Sequence, residues 1–220
     1  MQQAMTSSEI LAAWESGARR VPLDRALAIL RASCASECDP ADLPLAERDR
    51  LLLELRAATF GSMLPVRATC PDCNADMEAD LDARAIAAML PRDSGSESVR
   101  AMTSRDLAAV TQAPCGDIMA LLRKRLASKE KADPDALDAA IESEAAASEV
   151  LAELICAACG GRWSEFLDVP ACIWLEVERA AAGILSDIGR LAAAFGWTEG
   201  EVLALRPERR CAYLAMLAPS

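Results

Sequence analysis

The stretch that decides the fold runs from residue 68 to residue 82 and reads ATCPDCNADMEADLD. It contains a Cys-x-x-Cys pair, Cys70 and Cys73, followed from residue 76 by a strict alternation of acidic and apolar residues. Alternation with a period of two is typical of a half-buried strand. The pair by itself fits a redox dithiol, half of a metal site, or two thiols that only fill space. The rest of the chain must decide between these three.

A second copy of the motif lies at residues 156 to 168 and reads CAACGGRWSEFLD. When the cysteines are aligned, Met77 matches Trp163, Leu81 matches Leu167, and both copies end in Leu-Asp. Two such knuckles supply four thiolates, which is the full ligand set of a closed tetrahedral site. The predicted metal ligands are therefore Cys70, Cys73, Cys156 and Cys159.

The predicted metal centre is structural rather than catalytic, because four cysteine ligands leave no coordination position open for a substrate. Zn²⁺ is the expected ion, and rubredoxin-like iron is the chemical alternative. Residues 74–155 separate the knuckles, a far longer segment than the roughly 15–20 residues of a compact zinc ribbon. We therefore predict a split ribbon, in which the two knuckles pair their strands while a helical insertion loops out between them.

The other interpretations of the cysteines carry less weight. A thioredoxin-like dithiol lies at a helix N-terminus, whereas strand periodicity follows Cys73 and the second copy has no proline. Cys34 and Cys38 are four residues apart on a helix-like stretch. They could form a second ligand pair, although two small buried hydrophobes are favoured. The remaining isolated cysteines are predicted to be packed: Cys115, Cys172 and Cys211.

The composition favours a helical, non-enzymatic protein. The 220 residues are 53% hydrophobic but only 4% aromatic, with 10 glycines, a mixture that favours helices. The absence of histidine excludes Ser-His-Asp and Cys-His nucleophile systems and HExxH metalloproteases. Residues 1–14 lack a signal-peptide pattern, so the cysteines are expected in a reducing cytoplasm. No uncharged apolar stretch of about 18 residues occurs, so no membrane span is expected.

The charge balance disfavours nucleic acid as a partner. The net charge is −11, which repels nucleic acid and anionic membranes. The tail could form a helix-turn-helix, but residues 170–220 contain five arginines against six acidic residues. The one basic run is interpreted as a solvated helix face: Arg123, Lys124, Arg125 and Lys129. A zinc-ribbon regulator that binds nucleic acid remains the alternative function, and a thiol-disulfide oxidoreductase is a weaker one.

Helix signals complete the predicted organisation. Pro44 and Pro134 are placed to open helices, Thr103 to cap one, and Gly196 to stop one before a capping box at Thr198–Glu201. The predicted fold class is mainly α with a small β zinc ribbon (α+β). Its segments are an N-terminal helical segment (1–63), the first zinc knuckle (64–83), the helical insertion (84–149), the second zinc knuckle (150–169) and a C-terminal helical segment (170–220).

The tail and the knuckles together resemble a known family. Residues 191–214 read LAAAFGWTEGEVLALRPERRCAYL. This stretch is similar to the C-terminal signature of small baseplate-associated proteins of contractile phages and phage-like contractile injection systems. That group is related to the T-even phage baseplate hub assembly protein, and its members also carry paired Cys-x-x-Cys knuckles. The resemblance extends from Glu47 to Leu217 and is loose in the insertion. One departure is Gly189, where the family leads us to expect a histidine.

The resemblance implies a non-enzymatic part in building an injection machine, either as a baseplate or hub component or as an assembly factor. The implied partners are other baseplate, hub or spike proteins. The implied location is the cytoplasm, or the assembled particle after incorporation. A mechanistic expectation follows: the ribbon pins two helical segments into one rigid body, and the last helices offer an interaction surface. That surface would consist of Trp197, Tyr213, Arg206, Arg209 and Arg210.

Overall fold

The computed structural model describes residues 3–33, 38–92, 95–113, 118–128 and 133–217. Within these ranges the chain forms ten α-helices, four strands and a 3₁₀ turn at Pro40–Asp42. The helices are α1 (Ser7–Gly17), α2 (Pro22–Ser33), α3 (Leu45–Thr59), α4 (Ala83–Met89), α5 (Ser104–Gln112), α6 (Ile118–Leu126), α7 (Pro134–Ser148), α8 (Val169–Phe195), α9 (Glu199–Leu203) and α10 (Pro207–Met216). The strands are β1 (Met63–Thr69), β2 (Asp76–Asp82), β3 (Leu151–Ile155) and β4 (Arg162–Phe166). The prediction of a mainly helical protein with a small β part is confirmed.

The strands form two separate antiparallel hairpins. β1 pairs with β2 in a register that places Leu64 opposite Leu81, and β3 pairs with β4 with Leu154 opposite Trp163. Among the described residues no ladder joins the two sheets. The prediction that the knuckles pair their strands with each other is therefore wrong. Each knuckle is the turn of its own hairpin, because antiparallel strands joined by a short turn satisfy their backbone groups locally.

The main core joins the two ends of the chain. Helices α1, α2, α3 and α8 bury apolar side chains against one another, and Leu64 of β1 and Leu167 after β4 extend the same cluster. α8 has 27 residues, so it is about 40 Å long. Trp174 on α8 is buried so closely against α1 that a Cβ at Gly17 would lie 2.6 Å from its ring. Both hairpins therefore stand on a single packed body.

A second, smaller core lies in the insertion. Leu126 of α6 and Ile141 of α7 are almost fully buried, and Leu45 at the start of α3 belongs to the same cluster. The Leu45 N–H donates to the Met102 carbonyl at 2.8 Å. The insertion is thus helical, as predicted, and it packs against the N-terminal end of α3.

The helix boundaries follow the local signals. Thr103 and Thr198 close capping boxes with Asp106 and Glu201. Pro134 is the first residue of α7, and Gly196 ends α8 with φ of +71°. α3 begins one residue after Pro44, which precedes the first turn instead of occupying it.

Two buried arginines of α3 make ion pairs, and one of them also contacts the segment that precedes the first hairpin. Arg56 on α3 makes a bidentate ion pair with Glu176 on α8, with both N–O distances at 2.8 Å, and it also donates to the Gly61 carbonyl. Arg48 pairs with the neighbouring Asp49. Because Gly61 lies two residues before β1, the Arg56 contacts tie the base of the first hairpin to α3 and α8.

No helix in the described part of the chain is long and apolar enough to cross a membrane.

Candidate metal centre

The first knuckle is the turn between β1 and β2. The Asn74 N–H donates to the Cys70 carbonyl at 2.9 Å, and the Cys70 N–H donates to the Ala75 carbonyl at 3.0 Å. Asn74 has φ of +56°, in the left-handed region. Asparagine tolerates this region better than most residues. The turn therefore reverses the chain while Cys70 and Cys73 remain close together.

The second knuckle repeats this geometry between β3 and β4. The Gly160 N–H donates to the Cys156 carbonyl at 2.9 Å, and the Cys156 N–H donates to the Gly161 carbonyl at 2.8 Å. Gly160 has φ of +76° and stands one residue after Cys159, as Asn74 stands after Cys73. The two turns are thus equivalent in backbone hydrogen bonding as well as in cysteine spacing.

These turn residues were not singled out from the sequence. The signal was present, because the residue after the second cysteine is Asn in one copy and Gly in the other. These are the two residue types that enter the left-handed region most readily. Comparing the copies beyond their cysteines and strands would have identified Asn74 and Gly160 as part of the site.

The two turns face each other at close range. A Cβ atom at Gly161 would lie 2.3 Å from Oδ2 of Asp72, which belongs to the first knuckle. The Gly161 N–H also donates to Sγ of Cys159 at 3.4 Å. A glycine at this position therefore leaves room for the opposite turn and supplies a donor to a cysteine sulfur.

The predicted ligands come together in space. The four Sγ atoms of Cys70, Cys73, Cys156 and Cys159 all lie within 4.8 Å of one another. Cys70 Sγ is 3.7 Å from Cys159 Sγ, and Cys73 Sγ is 3.6 Å from Cys156 Sγ. Tetrahedral zinc with Zn–S bonds of about 2.3 Å places its sulfurs about 3.8 Å apart, whereas a disulfide requires about 2.05 Å. The donor set and its spacing therefore fit a tetrahedral ion bound across the two knuckles.

The thiols influence one another electrostatically. Backbone N–H groups of Cys159 and Ala158 donate to Cys156 and lower its pKa to about 6. The Gly161 N–H lowers the pKa of Cys159, but hydrogen bonds from Cys156 and the two cysteines of the first knuckle outweigh it and raise that pKa to about 12. One thiolate therefore forms readily while another resists ionisation. A bound cation removes this conflict, because metal binding deprotonates its thiol ligands.

The cluster is buried on one side and open on the other. Cys70 and Cys156 are buried, whereas Cys73 and Cys159 are exposed. In each knuckle the first cysteine thus faces the protein and the second faces solvent. This arrangement would give an ion a path of entry and would let it bind both hairpins.

The other cysteines that the structure describes lie outside this cluster. Cys38 and Cys211 are exposed, so the prediction that they are buried is wrong. Cys172 is half-buried, and burial raises its pKa, with further contributions from Asp168 and Glu176. The other two predicted positions lie outside the described residues: Cys34 and Cys115.

The basic run of the insertion is largely engaged in ion pairs. Arg123 pairs with Asp138, and Arg125 lies 2.7 Å from the buried carboxylate of Asp106. Lys124 is exposed, and the last member of the run, Lys129, lies outside the described residues. The interpretation as a purely solvated face is therefore wrong for the two arginines. They hold the insertion together.

The C-terminal surface differs from its prediction in one residue. Arg206 and Arg209 are exposed, but Arg210 is buried, donates to the Ser7 hydroxyl at 3.1 Å and lies 3.6 Å from the Asp187 carboxylate. Arg210 is therefore not available to a partner. It ties α10 to α1 and α8, a long-range contact that the tail sequence does not reveal.

The two predicted surface aromatics pack into a cluster. The Phe195 and Trp197 rings stack with centroids 4.8 Å apart, and the Tyr213 ring meets both edge-on. Trp197 and Tyr213 are half-buried in this cluster. Their main effect in the isolated chain is to fasten α10 to the end of α8.

Comparison with known proteins finds a similarity for part of the chain. A family model described as T4 bacteriophage base plate protein matches residues 18–114. This part of the chain is thus similar to a T4-like phage baseplate protein family. The matched part of the chain includes α2, α3, the first hairpin, α4 and α5, and with them Cys70 and Cys73. It covers less than half of the chain and leaves out the second knuckle and the tail. No curated protein and no solved structure matches the chain.

The family match supports a structural baseplate component. Together with the four clustered cysteines, it favours a role in which the chain holds a shape rather than transforms a substrate.

Proposed function

We propose that this chain is a non-enzymatic structural or assembly component of the baseplate of a contractile phage tail or of a phage-like contractile injection system. We further propose that a structural Zn²⁺ ion holds its two hairpins together through Cys70, Cys73, Cys156 and Cys159. The observation that carries the proposal is the joint occurrence of a baseplate family match and a four-cysteine cluster at tetrahedral spacing.

The proposed ion has a mechanical effect. When bound, it would supply four metal–sulfur bonds and no reactive coordination position. The protein itself positions the two turns, because the hairpins flank the insertion and pack on the main core through Leu64 and Leu167. Clamping the two turns together would close residues 83–149 into a loop with fixed ends. The insertion and the main body would then present one rigid surface to neighbouring subunits.

The proposed partners are other baseplate, hub or spike proteins. The ion pairs of Arg123 and Arg125 support this choice over nucleic acid, because they leave Lys124 as the exposed cation of the described run. The strand that follows Cys73 supports a structural role for the thiols over a redox one, since redox dithiols rely on a helix N-terminus. The proposed location is the cytoplasm before assembly and the particle afterwards.

A particle-association experiment tests the proposal. A tagged copy of the chain is expressed in a host that produces the particles, and mature particles and assembly intermediates are separated by sedimentation. A permanent subunit is expected in both fractions, and an assembly factor in the intermediates alone. Deleting the gene is expected to stop assembly at the baseplate. Particles that assemble and contract normally without the chain would contradict the proposal.

A further inference from the structure

An open groove lies between the two hairpins and α8. One cavity of about 760 Å³ is lined by residues of all four strands and of α8, and an adjoining cavity of about 870 Å³ follows the outer part of the hairpins. The two share Arg67, Ala68, Glu78 and Glu165. Together they form one depression, which we call the hairpin groove.

The hairpin groove has an apolar lining that is only partly covered. Val66 and Leu81 of the first hairpin and Leu154 of the second line it. Two large apolar side chains on its wall are open to solvent, with Leu175 59% and Phe166 57% exposed. Large apolar side chains grouped around a concave surface are typical of interaction sites, whereas single exposed ones are not.

The charged groups around the hairpin groove are predominantly acidic. Arg67 is neutralised by Glu78 at 2.8 Å, and Glu176 is neutralised by Arg56. Four further carboxylates on the lining make no ion pair within the described part of the chain: Asp76, Asp80, Glu165 and Asp168. Against them stands one cation without an ion pair among the described residues, Arg179. The groove therefore combines an apolar lining with a net negative rim.

We propose that the hairpin groove binds an apolar segment of a partner protein that carries lysine or arginine residues. Apolar side chains of the segment fill the space beside Leu175 and Phe166, and its cations face Asp76, Asp80 and Glu165. A second copy of this chain is a poor occupant, because the net charge of −11 makes two copies repel each other. This inference rests on the proposed function, since it names the surface with which a baseplate component would hold its neighbour.

Photo-cross-linking in particle-producing cells tests the docking surface. A photoreactive residue is placed at Leu175 in the groove and, as a matched control, at Leu185, which lies on the same helix, is 41% exposed and does not line the groove. The Leu175 position is expected to cross-link to an apolar, Lys- or Arg-bearing peptide of another protein, and the Leu185 position is not. If the chain enters particles but the Leu175 position cross-links to an acidic segment, to a second copy or to nothing, the docking proposal is overturned and the proposed function stands.

If the chain does not enter particles, the proposed function fails, and a binding measurement still decides the docking proposal. The probe is a fluorescent synthetic peptide of alternating leucine and lysine, compared with one of leucine and glutamate. The lysine peptide is expected to bind the full chain more tightly, and Leu175→Asp to weaken it at least about tenfold. Leu185→Asp adds the same charge and is expected to leave binding unchanged. Equal affinity of the two variants would overturn the proposal.

Discussion

At the scale of single residues, the candidate metal centre depends on backbone positions as well as on cysteines. Gly160 is in the left-handed region with φ of +76°. Gly160→Ala is therefore expected to destabilise the protein by about 1–2 kcal/mol, because a Cβ is unfavourable there. Gly189 lies within α8 with open space around it, so Gly189→Ala is expected to stabilise by about 0.5–1 kcal/mol. Urea unfolding measures the change in stability of both variants. Changes of the same sign would contradict the left-handed backbone conformation assigned to Gly160.

The buried Cys70, a proposed metal ligand, allows a structural role of the cluster to be separated from a catalytic one. Cys70→Ser is expected to reduce the free energy of unfolding by about 4 kcal/mol or more, as for loss of a structural metal. The matched control is Cys211→Ser, since Cys211 is exposed and stands apart from the cluster. Unfolding curves and bound metal are measured for both variants. A Cys70→Ser protein as stable as the control would show that the cluster carries no folding energy.

The charge on Asp106 makes the stability of the insertion depend on pH. Burial alone raises the pKa of its carboxyl, but hydrogen bonds from Arg100, Arg125 and Thr103 outweigh burial and hold that pKa well below its usual range. The pKa of Asp106 in the folded protein therefore lies below its value of about 4 in the unfolded chain. The ionised carboxylate stabilises the folded state fully above pH of about 4, and this stabilisation is lost as the pH falls through the folded pKa. Asp106→Asn is expected to cost about 1.5–3 kcal/mol at neutral pH.

Urea unfolding at about pH 7 and at about pH 3 checks this expectation. The wild type should lose more stability between the two values than the Asp106→Asn variant does. Equal losses in both proteins would mean that Asp106 does not contribute to the acid sensitivity.

At the scale of elements, helix boundaries could be predicted from the sequence and strand partners could not. Thr103, Thr198 and Gly196 mark helix ends because their effects act within a few residues of the chain. The alternation after Cys73 identified β2 for the same reason. The pairing partner of β2 depends on contacts that the periodicity does not encode. The similarity of the two knuckles led us to expect that the strands of one would pair with those of the other. The structure pairs neighbouring strands within each hairpin instead.

The contact between α3 and α8 is a further element-scale feature. Arg56 and Glu176 are well buried, whereas the Arg67–Glu78 pair on the first hairpin is 87% and 74% exposed. Arg56→Ala is expected to cost about 3 kcal/mol, because it leaves the largely buried Glu176 carboxylate without its partner. Arg67→Ala is expected to stay close to wild type, because exposed pairs contribute little. Chemical unfolding of both variants tests the contrast, and similar losses would contradict it.

At the scale of the whole molecule, the chain is one helical body with its four-cysteine cluster between two hairpins. The cysteine set could be predicted because the motif occurs twice, and repetition is visible in a single sequence. The second core, the buried Arg210 and the hairpin groove could not, because each depends on residues distant in the chain. Leu45, for example, joins the insertion core only because α3 starts beside Met102.

We propose that Cys70, Cys73, Cys156 and Cys159 hold one structural metal ion. The most direct test is elemental analysis of the protein purified under reducing conditions, with its folded state verified by circular dichroism on the same sample. We expect about one zinc per chain, which strong chelators remove together with the order of the two hairpins. A fully folded preparation that contains no bound metal would contradict it.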